Sequence, residues 1–304
     1  MKATQAWSRR GVLRSSMATA IAAWTGACTR APSSQLHIVD SQVHIWIGGK
    51  PSPTHRQEPF TKEDLLQEMA TAGVERVVIV TPSWNPSGND YPLEAARSFP
   101  NRFAVMGLFD TRKAPDPILV ENWNKRQGML GIRLFLGSPQ GRAWMTDGSA
   151  DWFWPILERS NIPVMIFCSG LMPDLAKIAT KHPGLKICID SFGVPGGVSG
   201  ISAFADFDSV LAMAKYPNIT IKAESVPFIS GEPYPYRNLH PILRRTYDAF
   251  GPDRMFWGSD RTLLKTPYKD CVTFMAELPW LSERDHNLIM GRAISTWIGW
   301  PLPS

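Results

Sequence analysis

Cysteine is scarce in this 304-residue chain, with four residues at positions 28, 168, 188 and 271. Thiols so far apart supply neither the disulfide framework of a small secreted domain nor a Cys-based zinc site, and are expected to be buried and inert. Long apolar runs are missing as well, since no stretch reaches the ~18 uninterrupted apolar residues of a membrane span. Charged residues make up only 19% against 44% hydrophobic, which excludes a disordered chain and leaves apolar material for one barrel-sized domain or two smaller ones. An excess of one charge is absent from most of the chain. The formal net charge is +5, but Lys2, Arg9, Arg10, Arg14 and Arg30 account for it with no acid among them, so 27 of the 32 basic residues remain against 27 acidic ones. A nucleic-acid partner would call for a basic face that displaces counterions, and a near-neutral body offers none.

What stands at the N-terminus is processing information rather than fold. Arg9 and Arg10 in SRRGVL precede a short, weakly apolar run, then small residues and a polar linker, so residues 1–34 read as a targeting segment and 35–304 as the domain. The pattern resembles a twin-arginine export signal, which implies a periplasmic protein. Cys28 in TGAC is either an acylated lipoprotein cysteine or lies near an ordinary cleavage point; Thr25 stands where a lipobox usually has Leu. A disordered basic tail is the alternative to a signal.

From residue 36 onward, short β-branched runs alternate with amphipathic stretches. The runs are LHIVDSQVH, RVVIVT, RFAVMGLFD, LGIRLFL, IPVMIFC, LKICID, NITIKAES and RMFWGSD. Between them lie segments such as TKEDLLQEMATAG, DWFWPILERS, MPDLAKIATKH and LHPILRRTYDAFG, with Thr61, Asp151 and Ser282 as expected caps and Gly73 and Gly251 as expected terminators. Near-continuous apolar strands separated by helices predict a parallel sheet, and eight such units predict an α/β fold closed as a (β/α)₈ TIM barrel. An open doubly wound sheet would call for a Gly-rich phosphate turn after the first strand, where the sequence reads DSQVHIWIGGKPS.

A barrel places its chemistry at the C-terminal strand ends. Polar residues collect there: Asp40, Gln42 and His44 on strand 1, Arg133 on strand 4, Lys222 and Glu224 on strand 7, Asp260 after strand 8. Burying such charges is costly unless they share a polar pocket. Asp40 and Asp190 suit structural roles at strand ends. Arg133 either pairs with Glu224 or Asp260, or grips a substrate carboxylate with its planar fork. Trp46, Trp84 and the loop PYPYRNLH, with Tyr236, Arg237 and His240, fit either a pocket wall or rim packing.

The stretches VDSQVHIW, LKICIDSFGVP and FWGSD, in this order along eight units and followed by MGRAISTWIGW, resemble the amidohydrolase-related (amidohydrolase 2) family of TIM-barrel hydrolases. That family includes lactonases and decarboxylases related to 2-pyrone-4,6-dicarboxylate lactonase. The resemblance covers residues 36 to 300 and implies a metal site of His-x-His on strand 1, a His on each of strands 5 and 6, and an Asp after strand 8. Carried over one at a time, these positions hold Gln42, His44, Phe167 or a residue beside it, Ser191 and Asp260. Two of five survive, and neither Phe nor a neutral amide is a zinc ligand of note. The expectation is therefore a site without metal and without any other cofactor, zinc being the alternative.

The resemblance implies a hydrolase for a small carboxylated lactone or ester. Asp260 would act as general base. His44, Gln42 and Lys222 would steady charge on the carbonyl oxygen. Arg133, helped by Arg237, would anchor a carboxylate, with Glu224, His240, Trp46, Trp84, Tyr236 and Ser191 completing the substrate site. Decarboxylation or another C–C lyase reaction is the second reading, and a non-catalytic exported binding protein the third.

Overall fold

The computed structural model describes residues 36–302 together with Met1, so the twin-arginine motif, Cys28 and the boundary at residue 34 lie outside the described residues. Eight strands follow one another: β1 Val39–Val43, β2 Arg76–Val80, β3 Phe103–Leu108, β4 Met129–Phe135, β5 Val164–Phe167, β6 Ile187–Ile189, β7 Ile219–Glu224 and β8 Met255–Gly258. Seven of the eight apolar runs read from the sequence contain one strand each, and β4 begins one residue before the run LGIRLFL. They form one sheet in sequential order from β1 to β8, every adjacent pair parallel. The sheet curls back on itself, for the Asp260 N–H donates to the Gln42 carbonyl at 2.9 Å. With helices between the strands, this near-closed parallel barrel has the arrangement of a TIM barrel.

Local chemistry explains the helix boundaries. Thr61 and Asp64 form a reciprocal capping box at the start of Lys62–Ala72, and Gly73 ends that helix in the left-handed region at φ 76°. Ser282 caps Glu283–Asn287 by accepting the Asp285 N–H. Asp151 does not cap: the helix Phe153–Arg159 starts one residue later than a cap at 151 requires, and the Asp151 N–H instead turns back to the Gly148 carbonyl at 3.1 Å.

Strand alternation sends one set of apolar residues outward to the helices and another inward. The inward set, Val39, Val78, Val80, Met106, Met165, Cys188 and Phe256, is fully buried and packs with Ile294 and Ile298 of the helix Ala293–Ile298. Register then stacks polar residues on that apolar floor: Arg133 pairs with Met165 and Lys222 with Phe256 across neighbouring strands. Asp40 locks the seam. Its Oδ1 accepts the N–H groups of Gln42 and Ser259, both at 2.9 Å, and its Oδ2 accepts the Tyr268 hydroxyl. Taking the Gln42 N–H out of the ladder accounts for the register shift between Asp40 and Val43. Gly258 allows the close approach beside it, as a Cβ there would lie 2.8 Å from Ser41 Oγ and 3.1 Å from the Gln42 Cβ.

Candidate active site

A cavity of about 420 Å³ opens at the C-terminal ends of the strands, within the usual size of a small-molecule site. Its wall includes Gln42, His44, His55, Thr81, Trp84, Arg133, Phe135, Phe167, Ser191, Ser225 and Asp260. Ser191, Ser225 and Asp260 lie one or two residues past the ends of β6, β7 and β8, and all three have positive φ, at 49°, 59° and 49°. Left-handed backbone at non-glycine residues is strained and persists where the surroundings enforce it. Here it falls at three successive strand ends, each supplying a residue to the cavity wall.

Beneath the cavity lies a buried network of ion pairs. The Lys222 ammonium, fully buried, donates to Gln42 Oε1 at 2.5 Å and meets Asp190 Oδ1 at 2.7 Å and Glu224 Oε2 at 3.0 Å. Burial works against its charge, but Asp190 and Glu224 overcome that and hold its pKa above the ordinary lysine value. The ammonium is hydrogen-bonded to Gln42 and ion-paired with both carboxylates, and its complete burial keeps it from a substrate. Asp190 also takes the Arg133 Nε at 2.8 Å, so Arg133 pairs with Asp190 rather than with Glu224 or Asp260. Glu224 Oε1 accepts both the N–H and the hydroxyl of Ser191, at 2.8 and 2.7 Å.

Above the network, two imidazoles and a carboxyl converge. His44 Nδ1 lies 2.6 Å from the Val80 carbonyl, which can only accept, so Nδ1 carries the proton. Burial, the neighbouring His55 and the cations Arg133 and Lys222 hold the His44 pKa well below the ordinary histidine range. A neutral ring protonated at Nδ1 presents a lone pair at Nε2, so His44 accepts there and does not donate to a carbonyl oxygen. Gln42 Nε2 stands 3.4 Å from that lone pair and Asp260 Oδ1 3.7 Å. Asp260 Oδ2 accepts the Ser225 hydroxyl at 3.3 Å, while Oδ1 is buried without a hydrogen-bond partner. Burial first, and then the charge on Glu224, raise the Asp260 pKa from 3.8 to about 8.

His55 was not singled out by sequence reasoning. It sits in the PSPTHRQ loop after β1, where no periodicity marks a side chain's direction. Its Nδ1 is 2.8 Å from Thr262 Oγ1, and the Arg56 N–H donates to the Thr262 carbonyl at 2.7 Å, which pins this loop to the one after β8. Its ring lies 4.7 Å from Trp84 and 5.4 Å from His44, and burial with the charge of Arg133 lowers its pKa to about 4.

The remaining expected residues divide. Trp84 is in the cavity wall, whereas Trp46 is buried behind it against Phe60 and Trp84. Tyr236 packs edge-on to Phe274, His240 bonds the Pro235 carbonyl at 3.2 Å, and Arg237 is exposed; none of the three lines the cavity. The loop that carries them is occupied with its own packing. Cys168, Cys188 and Cys271 are buried free thiols whose pKa burial pushes up, consistent with inert residues.

Could these residues hold a divalent metal? Among the described residues one group of three donors qualifies, His44, His55 and Asp260, with ligand atoms within 4.8 Å of one another. The tautomer of His44 suits a cation. The rest does not: a tetrahedral zinc with ligands near 2.0 Å needs donors about 3.3 Å apart, and Arg133 acts on both imidazoles with a like charge. The other positions at which the family resemblance implies ligands offer nothing, since Gln42 Oε1 is held by Lys222, Phe167 stacks on Phe135 and Ser191 is bound to Glu224. The set does not fit a metal as it stands, and no step is derived through one.

A family model described as amidohydrolase matches residues 39–303. An L-fucono-1,5-lactonase from Burkholderia ambifaria is 26% identical over 209 residues, which are 66% of this chain and 69% of that protein. A 4-sulfomuconolactone hydrolase from Hydrogenophaga intermedia is 25% identical over 212 residues, 68% of this chain and 66% of the other, so the chain spans about two thirds of each relative. Among solved structures, an amidohydrolase from Burkholderia multivorans with bound zinc superposes with a TM-score of 0.71 at 19% identity, covering 87% of this chain and 99% of its own. A 5-carboxyvanillate decarboxylase from Sphingomonas paucimobilis does so with a TM-score of 0.58 at 15% identity and the same coverage.

Proposed function

Because the chain belongs to the amidohydrolase family, we propose that it hydrolyses a small lactone, adding water to the ring carbonyl inside the strand-end cavity. The observation that carries this is the unpartnered Asp260 Oδ1 in the cavity wall, an acceptor to which a water molecule held there can donate. The names of the two curated relatives, both enzymes of lactones, set the substrate class.

In this reading Asp260 is the general base. Its ionised carboxylate takes a proton from the water at Oδ1 as the water oxygen attacks, with Ser225 fixing Oδ2. Charge that develops on the carbonyl oxygen meets the outer N–H groups of Arg133, whose Nε is already spent on Asp190, and the amide N–H of Gln42. Lys222 is a positioning residue: by holding Gln42 Oε1 it turns the amide nitrogen toward the cavity. Asp260 then returns its proton to the ring oxygen as the C–O bond breaks. Metal-independent chemistry is supported by the hold of Lys222 on Gln42 Oε1, the stacked ring of Phe167 and the Ser191–Glu224 bond. Residues 1–34 carry the protein to the periplasm by the twin-arginine route in this proposal, with cleavage or acylation near Cys28.

A second reading, decarboxylation, is favoured by the high Asp260 pKa, which keeps the carboxyl mostly protonated at pH 7 and able to deliver a proton to a carbanion. Turnover of a lactone panel, followed by acid release in weak buffer, tests the proposal. Acid release that disappears in Asp260→Asn supports hydrolysis. Carbon dioxide release from aryl carboxylates without lactone turnover would install the second reading. Binding with neither reaction would make this a binding protein on an enzyme scaffold.

A further inference from the structure

The cavity wall has a polar part and an apolar part. His44, His55, Arg133 and Asp260 make up the first. Phe135, Phe167, Val194, Val198 and Phe228 contribute to the second. Phe135 and Phe167, at the ends of adjacent strands, lie with ring centroids 5.2 Å apart and planes 12° from parallel. Phe135 is 44% exposed, a large apolar surface left open inside a polar mouth. Two glycines keep space beside the rings. A Cβ on Gly137 would stand 2.8 Å from Phe135 Cζ, and one on Gly196 3.2 Å from Phe167 Cζ, so any side chain at either position would press on the pair.

Charge decides what the polar part can hold. Arg133 and Lys222 are matched one for one by Asp190 and Glu224, all four within direct contacts of 2.7 to 3.0 Å. Asp260 adds no positive charge in either protonation state. An anionic substrate would therefore give up its hydration for a pocket with no surplus cation, and would face Asp260 as a like charge when that base is ionised. A neutral ester carbonyl has no such difficulty, since Arg133 still offers N–H donors.

We propose that the substrate is an uncharged lactone carrying a flat apolar ring, which packs on the Phe135–Phe167 pair while its ester group lies between Arg133 and Asp260. This deepens the lactone reading and sets aside the carboxylate expected from the sequence. Phe135 and Phe167 become specificity-determining residues. Phe167 stands at or beside a position where the family resemblance implies a metal-ligating His, so the strand end that lacks the ligand also supplies an aromatic surface.

The test compares three lactones with alkoxide leaving groups: benzo-fused 3-isochromanone, bare δ-valerolactone, and γ-butyrolactone-γ-carboxylate. The expected kcat/KM for 3-isochromanone exceeds that for δ-valerolactone by about 30-fold, the worth of burying one aromatic ring, with the carboxylated lactone poorest. Phe167→Ala should lower the 3-isochromanone value by about 10-fold and leave δ-valerolactone within about 2-fold; Phe167→Leu guards against misfolding by keeping volume. Preference for the carboxylated lactone, or a Phe167→Ala variant that loses both neutral substrates equally while Phe167→Leu loses neither, overturns the proposal. Calorimetry with two lactams that resist hydrolysis, 1,4-dihydro-3(2H)-isoquinolinone and δ-valerolactam, separates binding from chemistry. Aryl lactam binding that weakens in Phe167→Ala, without turnover of any lactone, would retire the lactone reading and leave the apolar subsite standing. Equal affinity for both lactams would remove the subsite.

Discussion

Replacing Asp260 by Asn should make the protein more stable as it destroys activity, and the gain should depend on pH. The side chain is buried in the cavity wall with one unpartnered oxygen, and its pKa in the folded protein is about 8 against an ordinary 3.8. A carboxyl whose pKa rises on folding contributes stability that is fully present below 3.8 and lost as pH climbs through about 8, at 1.36 kcal/mol per pH step. Carried over the whole interval this is on the order of 6 kcal/mol, an upper bound because relaxation and water entry reduce the cost of a buried charge. Asn has the same shape, keeps an acceptor for Ser225 and has nothing to ionise. Only the part of the interval from pH 5 to about pH 8 falls within a pH 5 to pH 9 comparison, about 4 kcal/mol, and half of that is about 2 kcal/mol, or roughly 4 °C in Tm for a domain of this size. Thermal melts of wild type and Asp260→Asn in EDTA should therefore show a gap that widens in the variant's favour by about 4 °C from pH 5 to pH 9. A gap that does not change with pH, or one that widens toward wild type, would mean that Asp260 is held ionised and would refute the account of the base.

The same ionisation predicts that kcat/KM climbs with pH and levels off above about 8, because the base works only when deprotonated; activity that peaks near pH 6 would remove Asp260 from that role. Lys222→Met leaves Glu224 buried without its cation and Asp190 with Arg133 alone, and should cost about 3–5 kcal/mol. Part of that loss should be recovered at low pH, where Glu224, already raised by burial, protonates; an unchanged Tm at pH 8 would show the network to be dispensable. Protein purified without added metal should contain well under one equivalent of zinc, manganese or iron and keep its turnover in EDTA. Stoichiometric metal by elemental analysis, or activity restored only by zinc, would reinstate His44, His55 and Asp260 as ligands. Lys at both Arg9 and Arg10 should abolish periplasmic accumulation, and normal export of that variant would rule out the twin-arginine route.

The barrel was legible because its signal is repeated. RVVIV, ICI and MFWG are each buried throughout, so sequence hydrophobicity and structural burial report the same thing eight times over. The polar layer was legible in membership, since Asp40, Gln42, His44, Arg133, Lys222, Glu224 and Asp260 interrupt those runs. It was not legible in pairing. Whether Arg133 meets Asp190 or Asp260 is set by register between β4, β5 and β6, which no single strand encodes. Roles followed pairing: Lys222 is enclosed by Gln42, Asp190 and Glu224, so it cannot face a substrate.

The residues that were missed share one physical reason. His55 reaches the cavity from a loop, and a loop side chain's direction depends on a contact 207 residues away, with Thr262. Phe135 and Phe167 looked like ordinary strand residues, because an apolar side chain at the end of a barrel strand is core if a loop covers it and a binding surface if none does. Gly137 and Gly196 decide which, and a glycine in a loop carries no mark of what its missing Cβ would have struck. The same applies to Tyr236 and His240, whose aromatic loop folded onto Phe274 instead of over the cavity. Chemistry that depends on residue type could be read along the chain, whereas substrate preference depends on which side chains a few loops leave uncovered. Phe167→Ala is accordingly the substitution with the most to say about what this enzyme accepts, and Asp260→Asn about what it does to it.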